Sequence, residues 1–228
     1  MSNIAIITAR GGSKRIPRKN VKEFCGKPII SYSIEAALKS QVFDEVMVST
    51  DDEEIKKIAL QYGASVPFLR SEKTSNDLAT THEVLIEVIK EYKKINREFE
   101  YTCCLYPTAP FVTDKKLKLA YQLITEKCVD AIYPVVPFSF PPQRGIVIQN
   151  GLAQFIFPEN EFVRSQDLDT IYHDCGQFYF LKTEELLEQE KLILKKTIPM
   201  VVSELEAQDI DNIEDWKLAE LKYQYLMS

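Results

Sequence analysis

The sequence predicts a three-layer α/β/α fold, in which helices cover both faces of a mainly parallel, doubly wound sheet of the Rossmann-like kind. Short apolar runs typical of strands alternate with segments whose apolar residues recur at helical spacing. The strand runs are continuously apolar, which is typical of strands buried on both faces. A chain of 228 residues is long enough for one such domain.

The first half of the chain predicts repeated strand–helix units. "NIAIITA" (residues 3–9) is a strand, and "PIISYSIEAALKS" is the helix that follows it. "EVMVST" is the second strand, and Thr50 with Glu53 predicts a capping box for the next helix. "SVPFL" is a third extended run, and the apolar spacing over residues 84–92 predicts a helix.

The second half continues the alternation after a central strand, "YTCCLY". "TDKKLKLAYQLITEK" predicts a helix capped by Thr113 or Asp114. "AIYPVV", "GQFYFL" and "TIPMVV" are further strands, and Asn212 is expected to cap the last helix. The ligand site of such a fold is expected outside the carboxyl ends of the strands.

Residues 137–172 interrupt this alternation. "PFSFPPQRG" is rich in proline, and Asn150-Gly151 between two extended runs is a strong hairpin signal. We interpret the segment as a β-rich excursion from a single domain that covers residues 1–228.

Composition excludes several classes of protein. No apolar run reaches the roughly 20 residues of a membrane span, and the N-terminus lacks the basic start of a signal peptide. Five cysteines, an odd number without a CxxC motif, suit a reducing cytoplasm. A net charge of −6 argues against general affinity for nucleic acid.

A basic loop follows the first strand in this acidic chain. "ITARGGSKRIPRKN" gathers five cations around Gly11 and Gly12, whose backbone angles and small size favour a close approach by phosphate oxygens. Arg10, Lys14 and Lys19 are positioned to neutralise a small anion such as a triphosphate, and Ser13 offers a hydroxyl. A solvated basic loop is the alternative.

An acidic pair lies near the C-terminus, in "AQDIDN". In an extended segment Asp209 and Asp211 point the same way, while Ile210 points into the core. Two carboxylates at this spacing suit one Mg²⁺ ion that also contacts phosphates. The alternative is an acidic turn that caps the last helix.

A third polar cluster lies within "FVRSQDLDTIYHDCGQF". It offers Arg164, Gln166, His173, Asp174 and Gln177 to a polar, anionic organic substrate, or else forms a surface loop with a structural His–Asp contact.

Other polar or reactive residues have simpler interpretations. His82 is expected at the surface or in a helix cap, and Cys103 and Cys104 in the core. Tyr106-Pro107-Thr108-Ala109-Pro110 ends a strand in a rigid turn, which is either a structural stop or a wall of the ligand site.

Five motifs in order resemble the cytidylyltransferases that activate nine-carbon acidic sugars, the CMP-sialate synthetase-like proteins. They are "ARGGSKRIPRKN", "VSTDDEEI", "FLRSEKTSNDLATT", "LYPTAPFVT" and "DIDNIEDW", and they span nearly the whole chain. Within this family the chain is most similar to the members that act on pseudaminic acid. That likeness is carried by "FCGKPIISYSIEAA", "FPPQRG", "RSQDL" and "YHDCGQFY".

The resemblance implies a fold of the nucleotide-diphospho-sugar transferase type and a Mg²⁺-dependent reaction in which the sugar acid and CTP give a CMP-sugar and pyrophosphate. It implies CTP contacts by Arg10, Gly11, Gly12, Ser13, Lys14, Lys19, Asn20, Arg70, Ser75 and Thr108. Asp209 and Asp211 match the metal-binding pair and, with Lys14 and Lys19, are the expected catalytic residues. It also implies a cytoplasmic homodimer, in which residues 137–172 reach the neighbouring site, and a product used to glycosylate cell surfaces or flagellin.

One departure from the family bears on the sugar. Relatives that activate sialic acid tend to carry Arg-x-Asn-Gly where this chain has "HDCG", with His173 and Cys175 at the two changed positions. Pseudaminic acid is therefore favoured, and sugar contacts are expected from Gln143, Arg164, His173, Asp174 and Gln177. The alternatives are sialic acid, legionaminic acid or the eight-carbon acid of lipopolysaccharide, and a non-catalytic nucleotide-sugar-binding module.

Overall fold

The computed structural model describes residues 2–228. The strands in this part of the chain are β1 (Asn3–Thr8), β2 (Glu23–Phe24), β3 (Lys27–Pro28), β4 (Glu45–Ser49), β5 (Tyr101–Leu105), β6 (Ala131–Pro137), β7 (Ile146–Gln149), β8 (Leu152–Phe155), β9 (Tyr172–Asp174), β10 (Phe178–Lys182) and β11 (Thr197–Val201). The α-helices there are α1 (Ile29–Ser40), α2 (Glu53–Gln61), α3 (Glu72–Ser75), α4 (Thr81–Lys94), α5 (Asp114–Glu126), α6 (Thr183–Gln189) and α7 (Ile213–Met227). None of the helices described has the length and apolar character needed to cross a membrane.

Seven strands form the central sheet, in the order β11-β6-β10-β5-β1-β4, with β9 beside β6. β1 pairs in parallel with β4 and β5, and β11 pairs in parallel with β6. β10 is antiparallel to both β5 and β6, so these two strands share one direction. The prediction of a mainly parallel sheet is confirmed, and only β9 and β10 run the opposite way within it.

Helices cover both faces of this sheet, as predicted. The side chains of β1 alternate: Ala5 and Ile7 pack with α1, α2 and α5 on one face, and Ile4 and Ile6 pack with α4 and α6 on the other. Cys103 and Cys104 follow the same alternation and are both fully buried, which confirms their place in the core. A third cluster joins α7 to α1 through Trp216 and Phe24.

The start of α2 differs from the expectation. Asp52, not Thr50, is the N-cap, and its carboxylate accepts the N–H groups of Glu54 and Ile55 at 3.0 and 2.9 Å. The capping box of Thr50 and Glu53 is therefore wrong, because the Thr50 hydroxyl accepts the Asp52 N–H and the helix begins only at Glu53.

The other helix starts agree with the sequence. Thr113 caps α5, and Asn212 caps α7 in a capping box with Asp215. "SVPFL" forms no strand, since only Ser65 pairs, in a single bridge to Met47. Pro67 follows closely and has no N–H to extend the pairing.

The excursion leaves the sheet after β6 and returns as β9, which pairs with β6. The predicted hairpin is present: β7 pairs with β8 across Asn150 and Gly151, both at positive φ. Every residue of this hairpin is exposed except the partly exposed Phe155. Within one chain the excursion therefore buries little of its own apolar surface.

Candidate active site

A cleft of about 620 Å³ lies where β1 and β5 end, at the edge predicted for a ligand site. Thr8 closes β1 on this side, and Tyr106, Pro107 and Thr108 follow β5, so the turn that they form is a wall of the cleft. The structure brings eight predicted residues together here: Arg10, Ser13, Lys14, Lys19, Asn20, Arg70, Thr108 and Asp209.

Two cations of the basic loop share one carboxylate in the cleft. Arg10 Nη1 lies 2.7 Å from Asp77 Oδ1, and Lys14 Nζ donates to Asp77 Oδ2. The Asn20 amide, which is buried, donates to the Arg10 carbonyl at 2.9 Å. Asn20 therefore fixes the backbone that carries Arg10 into the cleft.

The remaining loop cations hold the loop against other segments. Arg18 forms a two-pronged ion pair with Asp52 at 2.6 and 3.0 Å, which lowers the pKa of that carboxyl to about 2. Arg15 pairs with Asp211 at 2.8 Å. Positive charge in this acidic chain thus serves both the cleft and the attachment of the loop.

Gly11 is needed for close approach. Its N–H donates to Asp51 Oδ1 at 2.9 Å, and a Cβ atom on Gly11 would lie 2.8 Å from Asp52 Oδ2. Neither Gly11 nor Gly12 has a positive φ, so the expectation of special backbone angles is wrong. Asp52 packs directly on Gly11, and it is this contact that leaves no room for a side chain.

The acidic pair Asp209 and Asp211 contacts the basic loop in space, although the two segments are about 190 positions apart in the sequence. Lys19 Nζ donates to the carbonyl of Ile210 at 2.7 Å, between Asp209 and Asp211. Ile210 is fully buried, as predicted, in the cluster that contains Trp216. This contact joins the carboxyl end of β1 to the segment that precedes α7.

Burial and charge shift the pKa values at this junction in opposite senses. Burial and the neighbouring Asp211 raise the pKa of Asp209, and Lys19 opposes the rise. Burial lowers the pKa of Lys19, while Asp211 and Asp209 oppose the fall. Arg15 already pairs with Asp211, whereas Lys19 only partly offsets the unfavourable ionisation of Asp209, so a further cation beside Asp209 would stabilise its carboxylate.

The donors suit Mg²⁺ in particular. Among residues 2–228 no group of three or more His, Cys, Asp or Glu side chains could hold a metal by itself. Mg²⁺ is typically held by one or two carboxylates and completes its shell with substrate phosphates and water. Asp209 and Asp211 beside an anion cleft therefore fit a Mg²⁺ ion shared with a phosphate substrate.

Arg70 adds a buried positive charge to the cleft. Its side chain is 8% exposed, and it donates through Nε and Nη2 to Ser49 Oγ and the Ser49 carbonyl, at 3.0 and 2.7 Å. Burial lowers its pKa to about 10, so the guanidinium stays charged at neutral pH. A buried cation aimed at a cleft favours an anionic or carbonyl ligand.

Four predicted nucleotide or metal residues do not line the cleft themselves. Gly11 and Gly12 are not among the lining residues, and neither is Asp211, whose carboxylate pairs with the lining residue Arg15. The Ser75 hydroxyl donates to the Ser71 carbonyl at 2.7 Å, and its neighbours Thr74 and Asn76 face the cleft instead. Ser75 lies on the short helix α3, and its hydroxyl is already hydrogen-bonded to the backbone carbonyl at the start of that helix.

A second cavity of about 450 Å³ adjoins the first. His173, Asp174 and Cys175 line it, as do Phe138 and Lys222, and Asp209 borders both cavities. The His173 ring packs on Phe138 with centroids 4.6 Å apart. The "HDCG" segment therefore borders both cavities, with His173 to Cys175 lining the second and Gly176 lining the first.

Asp174 is held in a fixed orientation at this second cavity. Its Oδ2 accepts from the Tyr179 hydroxyl, and its Oδ1 accepts the Gly176 N–H at 2.8 Å. Burial raises the pKa of Tyr179, which keeps that hydroxyl protonated as a donor.

The structure does not bring the other sugar-side residues to the cavity. Gln143 donates to the Asp169 carbonyl at 2.8 Å, and Arg164 pairs with Asp167 at 2.8 Å within the excursion. Gln177 is 2% exposed and donates to the Glu206 carbonyl. In one chain these three side chains are occupied by local partners.

Several residues that line the cleft were assigned no role from the sequence. Asp77 and Asn76 stand in a polar loop, and Arg15 in the basic loop has no feature that separates it from Arg18. The signal for Asp77 is electrostatic, because an acidic residue within a matched motif is a natural partner for the basic loop. His82 lies 3.3 Å from the Thr80 hydroxyl at the start of α4, which confirms its interpretation as a cap-region residue.

A family model described as cytidylyltransferase matches residues 4–215. The chain is 41% identical over 224 residues to the pseudaminic acid cytidylyltransferase of Campylobacter jejuni, with 98% of this chain and 97% of that relative covered. It is 33% identical over 226 residues to the CMP-N,N'-diacetyllegionaminic acid synthase of Legionella pneumophila, with 96% and 95% covered.

A solved structure agrees in fold. The CMP:2-keto-3-deoxy-manno-octonic acid synthetase complexed with CTP superimposes with a TM-score of 0.71 at 18% identity, and the match covers 100% of this chain and 99% of that one. At that identity the likeness concerns the fold alone.

Proposed function

Because this chain belongs to the cytidylyltransferase family, we propose that it transfers CMP from CTP to pseudaminic acid and releases pyrophosphate. The relative named for pseudaminic acid is more similar than the one named for legionaminic acid, at 41% against 33% identity. The "HDCG" segment supports the same choice, since it departs from the pattern of sialate-activating enzymes at a cavity wall.

One observation carries the proposal: Asp209 borders both cavities. A transfer between two substrates requires that the reacting atoms meet at one point. The nucleotide occupies the cationic cleft and the sugar acid occupies the second cavity, so the α-phosphate and the anomeric hydroxyl meet beside Asp209.

The residues of the cleft act mainly through charge and position, as phosphoryl transfer requires. Arg10, Lys14 and Lys19 reduce the negative charge through which an oxygen nucleophile must approach, and they stabilise the departing pyrophosphate. Asp209 and Asp211 would hold Mg²⁺, which supplies further positive charge to the phosphates. Arg70 at the cleft wall binds an electron-rich edge of the nucleotide.

The reaction itself exchanges one phosphorus–oxygen bond for another. The anomeric oxygen bonds to the α-phosphorus, the bond between that phosphorus and the bridging oxygen breaks, and pyrophosphate leaves with the electron pair. The anomeric proton passes to solvent. His173 and Asp174 orient the sugar in its cavity, where the fixed carboxylate of Asp174 accepts a hydrogen bond from a sugar hydroxyl.

We assign the active form as a homodimer in the cytoplasm. The excursion leaves Ile148, Leu152 and Phe162 exposed by 75%, 66% and 91%, and a second copy of the chain would cover such a surface. Gln143 and Arg164 lie on the same excursion and would contact the sugar of the neighbouring copy. Five free thiols suit a reducing compartment, and the CMP-sugar would serve cell-surface or flagellin glycosylation.

A coupled assay of pyrophosphate release tests the function. The purified protein is given CTP and Mg²⁺ with pseudaminic, N,N'-diacetyllegionaminic, N-acetylneuraminic or the eight-carbon acid. We expect the highest kcat/KM with pseudaminic acid, and no release with the Asp211→Ala variant. Preference for another acid would contradict the substrate, and CTP binding without release from any acid would indicate a non-catalytic module.

A further inference from the structure

Asp77 places one carboxylate against two cations of the cleft. Its Oδ1 lies 2.7 Å from Arg10 Nη1, and its Oδ2 accepts from Lys14 Nζ. Each carboxylate oxygen thus takes one cation, as two oxygens of a single phosphate group would. All three side chains line the same cleft.

The loop that carries Asp77 is held in place by other contacts. Asn76 Oδ1 accepts the N–H groups of Leu78 and Ala79 at 2.8 and 3.0 Å, and its amide donates to the Lys73 carbonyl at 2.7 Å. The capping box of Thr80 fixes the far end of the loop. The Asp77 ion pairs are therefore not needed to shape the loop.

We propose that Asp77 is an internal competitor for the phosphate groups, which a nucleotide or pyrophosphate must displace in order to reach Arg10 and Lys14. The inference rests on the proposed function and adds a residue that sets how tightly phosphates are held. By opposing every anion at these two cations, Asp77 speeds the release of pyrophosphate and discriminates against weakly charged anions such as inorganic phosphate.

Charge and exposure make this competition reversible. Asp77 and Lys14 are exposed and Arg10 is partly exposed, and an exposed ion pair changes an affinity by a factor of about five at most. A triphosphate carries several negative charges and adds Lys19 to its contacts, so it displaces one carboxylate. Lys14 and Arg10 lower the pKa of Asp77, so the competitor is charged throughout the neutral range.

Calorimetry with inorganic pyrophosphate tests the competition directly and needs no sugar. The Asp77→Asn variant keeps the size of the side chain and removes its charge. We expect its Kd for pyrophosphate to fall about five- to tenfold, from the loss of two exposed pairs. Inorganic phosphate should also become a measurable inhibitor of CTP turnover, and both effects should shrink at high salt.

The matched control is Glu72→Gln, which removes one negative charge from the same segment. Glu72 is exposed and forms no ion pair with any residue from 2 to 228, so its Kd for pyrophosphate should equal that of wild type. Asp77→Ala serves as a second variant, and thermal melts check that each protein is folded.

Three results would overturn the inference. A folded Asp77→Asn protein that binds pyrophosphate as wild type does would show that Asp77 does not compete. Weaker binding would show that Asp77 instead supports Arg10 and Lys14 when phosphate is bound. If wild type binds neither CTP nor pyrophosphate, the proposed function fails together with the inference.

Discussion

The cationic cleft beside β1 and β5 and the excursion differ in how far one chain completes them. In the cleft, the cations Arg10, Lys14 and Lys19 have acceptors supplied by the same chain, and Arg70 is buried. In the excursion, Ile148, Leu152 and Phe162 point into solvent. One region is closed by its own sheet, and the other presents unburied apolar surface.

This difference separates two requirements of a transferase. Binding a multiply charged nucleotide needs fixed cations, which the ends of buried strands supply rigidly. Recognising a particular sugar needs a surface that can vary without disturbing the sheet, and an exposed excursion satisfies that condition. The following predictions test whether the two regions act as separately as their structures indicate.

The largest effect is expected at Asp209, where the two cavities meet. Asp209→Asn should lower kcat about a thousandfold, because the proposed Mg²⁺ ion would lose a carboxylate ligand and the phosphates would lose the positive charge of that ion. Stability should not fall. The pKa of Asp209 is raised in the folded protein, so ionisation of this carboxyl is unfavourable there. The folded protein therefore loses stability as the pH rises from the ordinary pKa of an Asp to the raised pKa of Asp209, and the Asn variant avoids this loss.

Steady-state kinetics and a thermal melt at pH 7 measure both quantities. Glu98→Gln, which removes an exposed carboxylate paired with Lys93 and outside both cavities, is the control for charge loss. A marked fall in melting temperature of Asp209→Asn would show that the residue is structural.

The next effect concerns the excursion. Ile148→Glu places a charge on the hairpin at a side chain that is 75% exposed, so the single chain should fold normally while the proposed dimer should not form. We expect kcat/KM for the sugar to fall about a hundredfold, while the Kd for CTP changes by less than about twofold.

Light scattering gives the oligomeric state, and calorimetry gives the affinity for CTP. Leu60→Glu, at an exposed apolar position on α2, is the matched control and should change neither. A monomeric Ile148→Glu protein with full sugar kinetics would show that the excursion is not part of the neighbouring site.

A smaller effect is expected at Lys19, within the cleft. Lys19→Ala should lower kcat/KM for CTP at least about tenfold, since it removes a phosphate contact and the bond to the Ile210 carbonyl. Initial rates at limiting CTP measure this effect. The control is Lys22→Ala, an exposed lysine three residues further along the chain that does not line the cleft. An unchanged value would remove Lys19 from the site.

The smallest effect is a pH-dependent contribution to stability from Arg18. Because Arg18 lowers the pKa of Asp52 to about 2, the pair stabilises the fold fully above the ordinary Asp value and loses that effect as pH falls towards 2. Arg18→Ala should therefore cost about 1 kcal/mol at pH 7 and much less at acid pH.

Urea unfolding at the two pH values measures this difference, with Lys57→Ala on the exposed face of α2 as the control. An equal loss of stability at both pH values would mean that Arg18 acts through packing rather than through the ion pair.

The sequence alone determined the order and class of the main elements, because apolar period and caps are local properties of the chain. β1, β5, α5 and the Asn150-Gly151 hairpin follow directly from such patterns. The cap of α2 did not, because Thr50 and Asp52 are both suitable N-cap types and only the structure shows that the Asp52 carboxylate accepts the N–H groups of Glu54 and Ile55.

Only the tertiary structure decided which charges share a site. Lys19 reaches Ile210 across 191 positions, and Asp77 reaches Arg10 across 67, because the parallel strands bring their carboxyl ends to one edge of the sheet. Residue types and spacing indicate that a loop can bind phosphate, whereas the partner of each cation depends on distances that no local pattern contains. The motifs therefore predicted which residue types bind phosphate, and only the folded structure showed which of those residues lie together.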